Sequence, residues 1–431
     1  MLPLKQINGW AILALFAVMP TITHALPSVK GEQKPPAVEA TPFTTALTNA
    51  HAAVLRNDLE AATTEFAAAA KLDEKSPLPH IGMAEVARRQ NKPDRAEFWL
   101  KKAVAVAPKS ADAQRAWARY LVGQHKYQEA EASLNKAAPP SADVYVDLGG
   151  IYLSGLKKPK EAVRAYREAL KLNANHAGAH VGLGSALAIQ GEMAAAVAEF
   201  ELAAKLAPQN AVPLHELGRL YASEKKFDQA LAVMDKALQV EPGYMPARLD
   251  RGDIFVATGS LDRALAEYQA AAKALPGLAI AHLKVGAVYQ AQKKWADAEL
   301  AFLKAVEADP KMFAAYNNLA WMAAERKENL QNALVWAKKA VEIAPEVGDS
   351  LDTLAWVYRA RGELDEAVLT LEKLVAKQPQ RAGFVYHLGV VYSEKGQRKE
   401  AVAAFGKALA ISKDFPGADD ARRRLETLGG K

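Results

Sequence analysis

Cysteine is absent from all 431 residues of the chain. That excludes a disulfide framework, a thiolate metal site and a lipid anchor carried on cysteine. Long apolar runs are missing as well. The longest uninterrupted one is Trp10 to Met19 (WAILALFAVM), about 15 Å of helix against a hydrocarbon core of about 30 Å. No sign of charge dominates, with 55 Lys and Arg against 49 Asp and Glu. The two signs are interspersed, so there is no nucleic-acid arm, and only a mild affinity for anionic polymers or lipid surfaces is implied. What is abundant is alanine, which leans toward helix. Half the residues are apolar and 24% charged, enough for a core and against general disorder.

The N-terminus reads as a processing segment. Lys5 supplies a positive start, the apolar run follows, and Thr23 and Ala25 stand at the small-residue positions before a cleavage point. The expectation is a signal peptide over residues 1–25, cut near Ala25, and a periplasmic or secreted protein with no transmembrane span. A retained anchor is the alternative. Residues 26–42 carry Pro27, Pro35, Pro36 and Pro42, a spacing no helix survives, and read as an extended, disordered spacer.

From Phe43 the chain repeats itself with a period near 34. With Ala211 as position 1 of one unit, Leu217 and Gly218 fall at positions 7 and 8, Ala230 at 20, Met234 at 24 and Pro242 at 32. Eleven units fit, starting at Phe43, Pro77, Ala111, Ala142, Ala177, Ala211, Met245, Ala279, Phe313, Gly348 and Ala382. Position 8 is Gly or Ala in every unit. Position 20 is Ala in every unit, with a one-residue slip at Ala162 and Ala333. Two apolar stripes at helical spacing, separated by a turn such as Lys225-Lys226, make a helix hairpin. Small residues at 8 and 20 let its two helices approach closely, and proline at 32 ends the second helix. One hairpin cannot bury its own apolar face, but stacked hairpins can.

These residues resemble the tetratricopeptide repeat family over residues 43–413. The resemblance implies an all-α solenoid, a right-handed superhelix of about eleven helix-turn-helix repeats whose first helices line a concave groove. It also implies a scaffold that binds proteins or peptides there. ADDARRRLETL (418–428) looks like the capping helix of such arrays, within a tail of residues 414–431. Its Arg422-Arg423-Arg424 reads as a solvated face. The unit at Ala111 has only 31 residues and ends early at Pro139-Pro140; the unit at Ala142 has an extra residue, placed in its turn GLKKPKEA (155–162). Together they suggest a joint between an arm over 43–141 and one over 142–413. Ordinary loop variation is the alternative.

No catalytic constellation is legible, and no cofactor or metal is called for. GLGSALAIQG (182–191) mimics a phosphate loop but sits inside a repeat helix with no strand before it. His176 and His180 stand four apart, a spacing that can present two imidazoles to a metal. His180, however, falls at position 4, a packing position in the family. The carboxylates recur at repeat intervals, as a solvated face does. The reading is a non-enzyme.

Only the groove positions remain as a site. No unit pairs Lys at position 5 with Asn at 9, the pattern of a carboxylate clamp. Asn318 alone occupies position 6 as an asparagine ladder requires. The units from Phe313 onward instead offer Asn317, Trp321, Asp352, Trp356, Arg359 and Tyr386. In NNLAW (317–321) and DTLAW (352–356) the Leu-Ala pair faces the hairpin interior, while each Trp, at position 9, lies toward the groove above Asn317 or Asp352. Two alternatives follow. The indoles line a surface for a peptide side chain or a sugar face, or they fold flat between neighbouring first helices. The stretch 317–401 also resembles repeat proteins associated with exopolysaccharide production and envelope protein sorting. The expected role is a cell-envelope scaffold, with direct polysaccharide binding as the alternative.

Overall fold

The computed structural model describes residues 41–429; the expected signal peptide and nearly all of the spacer lie outside the described residues. Among the described residues every regular element is helical, and they form two compact units divided after Pro242. The first unit holds six hairpins: α1 (Pro42–Leu55) with α2 (Leu59–Leu72), α3 (Leu78–Arg89) with α4 (Pro93–Val106), α5 (Ala111–Gly123) with α6 (Tyr127–Leu134), α7 (Ala142–Gly150) with α8 (Pro159–Leu172), α9 (Ala177–Ile189) with α10 (Met193–Leu206), and α11 (Val212–Ser223) with α12 (Phe227–Val240). The second holds five: α13 (Met245–Ala257) with α14 (Leu261–Ala274), α15 (Ala279–Ala291) with α16 (Trp295–Ala308), α17 (Phe313–Arg326) with α18 (Leu330–Ile343), α19 (Gly348–Ala360) with α20 (Leu364–Lys377), and α21 (Ala382–Glu394) with α22 (Arg398–Ile411). It closes with α23 (Ala418–Gly429). The expected joint at Pro139-Pro140 lies inside the first unit.

Each hairpin is built on the alanine at position 20, which is buried in all eleven. The residue at position 24 is matched to the one at position 8 in most hairpins, Phe66 with Ala50 and Met234 with Gly218 being the exceptions. Where position 24 is a ring, position 8 is usually glycine: a Cβ on Gly252 would stand 2.4 Å from the Tyr268 ring, and one on Gly286 2.5 Å from Phe302. Where position 24 is smaller, a methyl fits, as Ala355 opposite Leu371 and Ala320 opposite Ala337. The crossing is filled from one side or the other, as close packing requires.

The turn after each first helix places a residue in the left-handed region, from Asn57 in the first hairpin to Gly396 in the last, and two in the ninth. Five of these are lysines or histidine rather than the glycine or asparagine the conformation favours. The hydrogen bonds explain why the geometry persists. Lys225 N–H donates to Ala222 O and Lys226 N–H to Tyr221 O, both at 2.9 Å, so the helix-end carbonyls are satisfied by the wrap-around turn.

The two one-residue insertions are absorbed differently. The extra residue of the fourth hairpin does not lie in the 155–162 turn, as the sequence suggested. It is taken up in the first helix, where Ile151–Gly155 forms a π-helical turn closed by Leu156 N–H on Ile151 O at 2.9 Å. A π turn holds one more residue per hydrogen bond, so the register beyond it is restored. In the ninth hairpin the extra residue stays in the turn, where Lys327 and Asn329 are both left-handed. The short third hairpin is locked by a buried polar chain: Ser133 Oγ donates to Gln114 Oε1 at 2.6 Å, and Gln114 Nε2 to Pro108 O at 2.5 Å.

Candidate functional site

The first helices α17, α19 and α21 lie side by side in the second unit and carry all six of the residues expected at the groove. The structure brings them together but turns several of them inward. Trp321 and Trp356 are 6% and 7% exposed. Their rings stack with 5.5 Å between centres and 9° between planes, and the imidazole of His387 sits 4.3 Å from Trp356 and 5.6 Å from Trp321. Asp352 is fully buried and accepts from His387 Nδ1 at 2.8 and 2.9 Å. Of the two alternatives for the tryptophans, the structure takes the packed one, and no indole face is left open for a sugar ring.

The rim of this cluster is polar. Trp356 donates its indole N–H to Glu325 Oε1. The Arg359 guanidinium lies 4.2 Å over the Trp356 ring and grips Glu394 through Nε at 2.9 and 3.0 Å. Tyr386 donates to Asp420 Oδ2 at 2.9 Å, and Asp420 also accepts from Arg424 at 2.5 Å. Burial alone would push the Asp420 carboxyl up; bonds from Arg424, Tyr386 and Arg423 outweigh it and hold the group below the usual carboxylate range. Burial and the Asp420 bond together push the Tyr386 phenol up. Arg422, Arg423 and Arg424 all pair with Asp419 or Asp420 of their own helix, which caps the array with its charges outward.

Inside the cluster four polar atoms have no hydrogen-bond partner: Asn317 Oδ1, Asn318 Nδ2, Ser350 Oγ and Thr353 Oγ1. They sit on two adjacent first helices. Buried groups left this way are rare and each costs about 1–3 kcal/mol.

His387, Glu325, Glu394 and Asp420 were not expected in the site. One signal was present: His387 at position 6 follows Asp352 at position 5 of the preceding unit, an odd pair for an otherwise apolar face. The two histidines spaced for a metal do not converge on one. His176 caps α9, its Nδ1 accepting from Ala179 N–H at 3.1 Å, so Nε2 donates to Asp143 at 3.0 Å. His180 is buried, with Nδ1 2.6 Å from Glu199 and Nε2 3.0 Å from Ala174 O. Asp143 also accepts from Arg115 at 2.6 Å, and Arg115 reaches Asp147 at 2.7 Å. The first-helix face of α5, α7 and α9 is thus tied by its own charges. Among the described residues no group of three or more His, Asp or Glu gathers as metal ligands. No described helix is long and apolar enough to cross a membrane.

Profiles described as tetratricopeptide repeat match residues 149–211, 286–347 and 353–427, and a second of the same description matches 221–288. The chain belongs to the tetratricopeptide repeat family. Its repeats are similar to the type IV pilus assembly protein PilF of Pseudomonas aeruginosa, 27% identical over 161 residues, covering 36% of this chain and 64% of that protein. They are also similar to the photosystem I assembly protein Ycf3 of Prochlorococcus marinus, 23% identical over 108 residues, covering 24% and 61%. The matched stretches thus span less than two thirds of either relative. Among solved structures, yeast Tom70 is similar with a TM-score of 0.47 at 14% identity, covering 90% of this chain and 96% of that one. Tetratricopeptide repeats account for the hairpin crossings, the turns and the packed faces alike.

Proposed function

We propose that the chain is an exported, periplasmic scaffold whose first-helix face over α17, α19 and α21 holds a protein or peptide partner of an envelope assembly machine. The observation that carries it is the polar rim of that face, where exposed Glu325 and Glu394 stand beside the partly exposed Arg359 and Tyr386. The rim pairs Arg359–Glu394 and Asp420–Arg424 add charged contacts on the same face. The signal-like N-terminus supports export, and similarity to a pilus assembly protein supports an assembly role. Exopolysaccharide export or protein sorting is the finer form of this reading, from the character of residues 317–401.

A photo-crosslinking residue placed at Glu325 or Arg359 in the native host tests the face. The expected result is a discrete crosslinked protein absent when the same group replaces exposed Leu172 of the first unit. Identical products from all three positions would remove the assignment. Export is checked by N-terminal sequencing: the mature chain should begin near Leu26, and Met1 recovered from a membrane fraction would contradict it.

A further inference from the structure

The solvent face of the second helices carries an ordered pattern in the second unit. Two residues after the buried alanine, three successive hairpins place a large aliphatic side chain in solvent: Leu300 on α16, Val335 on α18 and Leu369 on α20 are 55%, 58% and 53% exposed. The hairpin does not ask for them, since α14 has Ala266 and α22 has Ala403 at the same place. Four residues further on stand Lys304, Lys339, Lys373 and, on α22, Lys407. Three residues earlier stand Asp297, Glu366 and Glu400, with Asn332 in the remaining hairpin. Spacings of three and four keep the groups on one helix face. At 1.5 Å per residue the carboxylates lie about 4.5 Å to one side of the aliphatic row and the ammonium groups about 6 Å to the other.

A face ordered acid, apolar, base is complementary to itself when it is turned over about its apolar row. Each lysine of one copy then meets a carboxylate of the other, and aliphatic meets aliphatic. We propose that this face is where a second copy of the chain docks, about a two-fold axis along the Leu300–Val335–Leu369 row. Lys304 is set opposite the partner's Asp297, Lys373 opposite the partner's Glu366 and Lys407 opposite the partner's Glu400. Lys339 is the exception, held by Glu342 of its own helix at 2.7 Å. Other occupants fit less well. An anionic lipid surface would press against the carboxylate row, and an acidic segment would leave that row unanswered. The proposal does not rest on the first-helix face reading.

Three aliphatic rungs make a small interface, so the dimer is weak and concentration-dependent. Sedimentation of the purified full chain should show a monomer–dimer equilibrium that shifts toward monomer as salt screens the rows. The variant Leu300→Ser/Val335→Ser/Leu369→Ser should weaken the dimer by about tenfold or more, with its melt unchanged because the three side chains are exposed. Should that variant misfold, a charge exchange decides the matter. Lys304→Glu/Lys373→Glu/Lys407→Glu and Asp297→Lys/Glu366→Lys/Glu400→Lys should each be monomeric alone and should associate when mixed. A chain that stays monomeric up to about 100 µM overturns the proposal, as does a dimer indifferent to the serine variant, or charge variants that fail to pair.

Discussion

Trp321 and Trp356 lie face to face between two neighbouring first helices, their planes 9° from parallel. Both are buried, and His387 packs against both rings. They are therefore a structural joint between successive repeats. Replacing either with alanine should cost about 3–5 kcal/mol of stability. The double variant should cost less than the sum, because stacked rings share about 0.5–1.5 kcal/mol of mutual contact. Denaturant titration of the four proteins checks this. A wild-type midpoint in the double variant would mean that the indoles do not hold the joint.

The hairpin crossings differ in how much they give. Gly252→Ala drives a methyl into the Tyr268 ring, whose hydroxyl donates to Asp253 at 2.5 Å and whose place is therefore fixed. The expected cost is about 1–3 kcal/mol. Gly218→Ala meets first the terminal Cε of Met234, at 2.8 Å, and an unbranched methionine can turn aside. Its cost should be clearly smaller. Hydrogen exchange should show lost protection confined to hairpins adjacent to each change, since repeat arrays are coupled to nearest neighbours. Equal costs for the two variants, or loss of protection throughout the chain, would contradict the crossing as described.

The capping helix α23 should loosen in acid. Asp420 has its folded pKa held below the ordinary carboxylate value. A lowered pKa contributes stability above the unfolded value, and that contribution is lost as pH falls through the folded one. Protease nicking near Phe415 should therefore quicken below about pH 4, the region of ordinary carboxylate titration. Asp420→Asn should quicken it at neutral pH and flatten the dependence. Tyr386→Phe, which removes one donor to the carboxylate, should lie between. A pH profile unchanged by Asp420→Asn would assign the acid response elsewhere.

The eleven hairpins, their boundaries and the residues at each crossing are legible in the chain itself. Positions 8, 20 and 24 recur through the array, and a repeat contacts mainly its neighbours, so local pattern and final packing agree. The depth of Trp321 and Trp356 was not legible. Position 9 faces the groove side in any single hairpin, but whether an indole stands open or is covered depends on what the next first helix brings. Here α19 and α21 bring a second indole and His387, and a ring that finds a flat partner is buried by it. The same reason hid the Asp352–His387 pair, whose members are 35 residues apart. It also hid where the fourth hairpin keeps its extra residue. The sequence counts one residue too many between Gly149 and Ala162, while only the packed helix shows that a π turn at Ile151–Gly155 is where it fits.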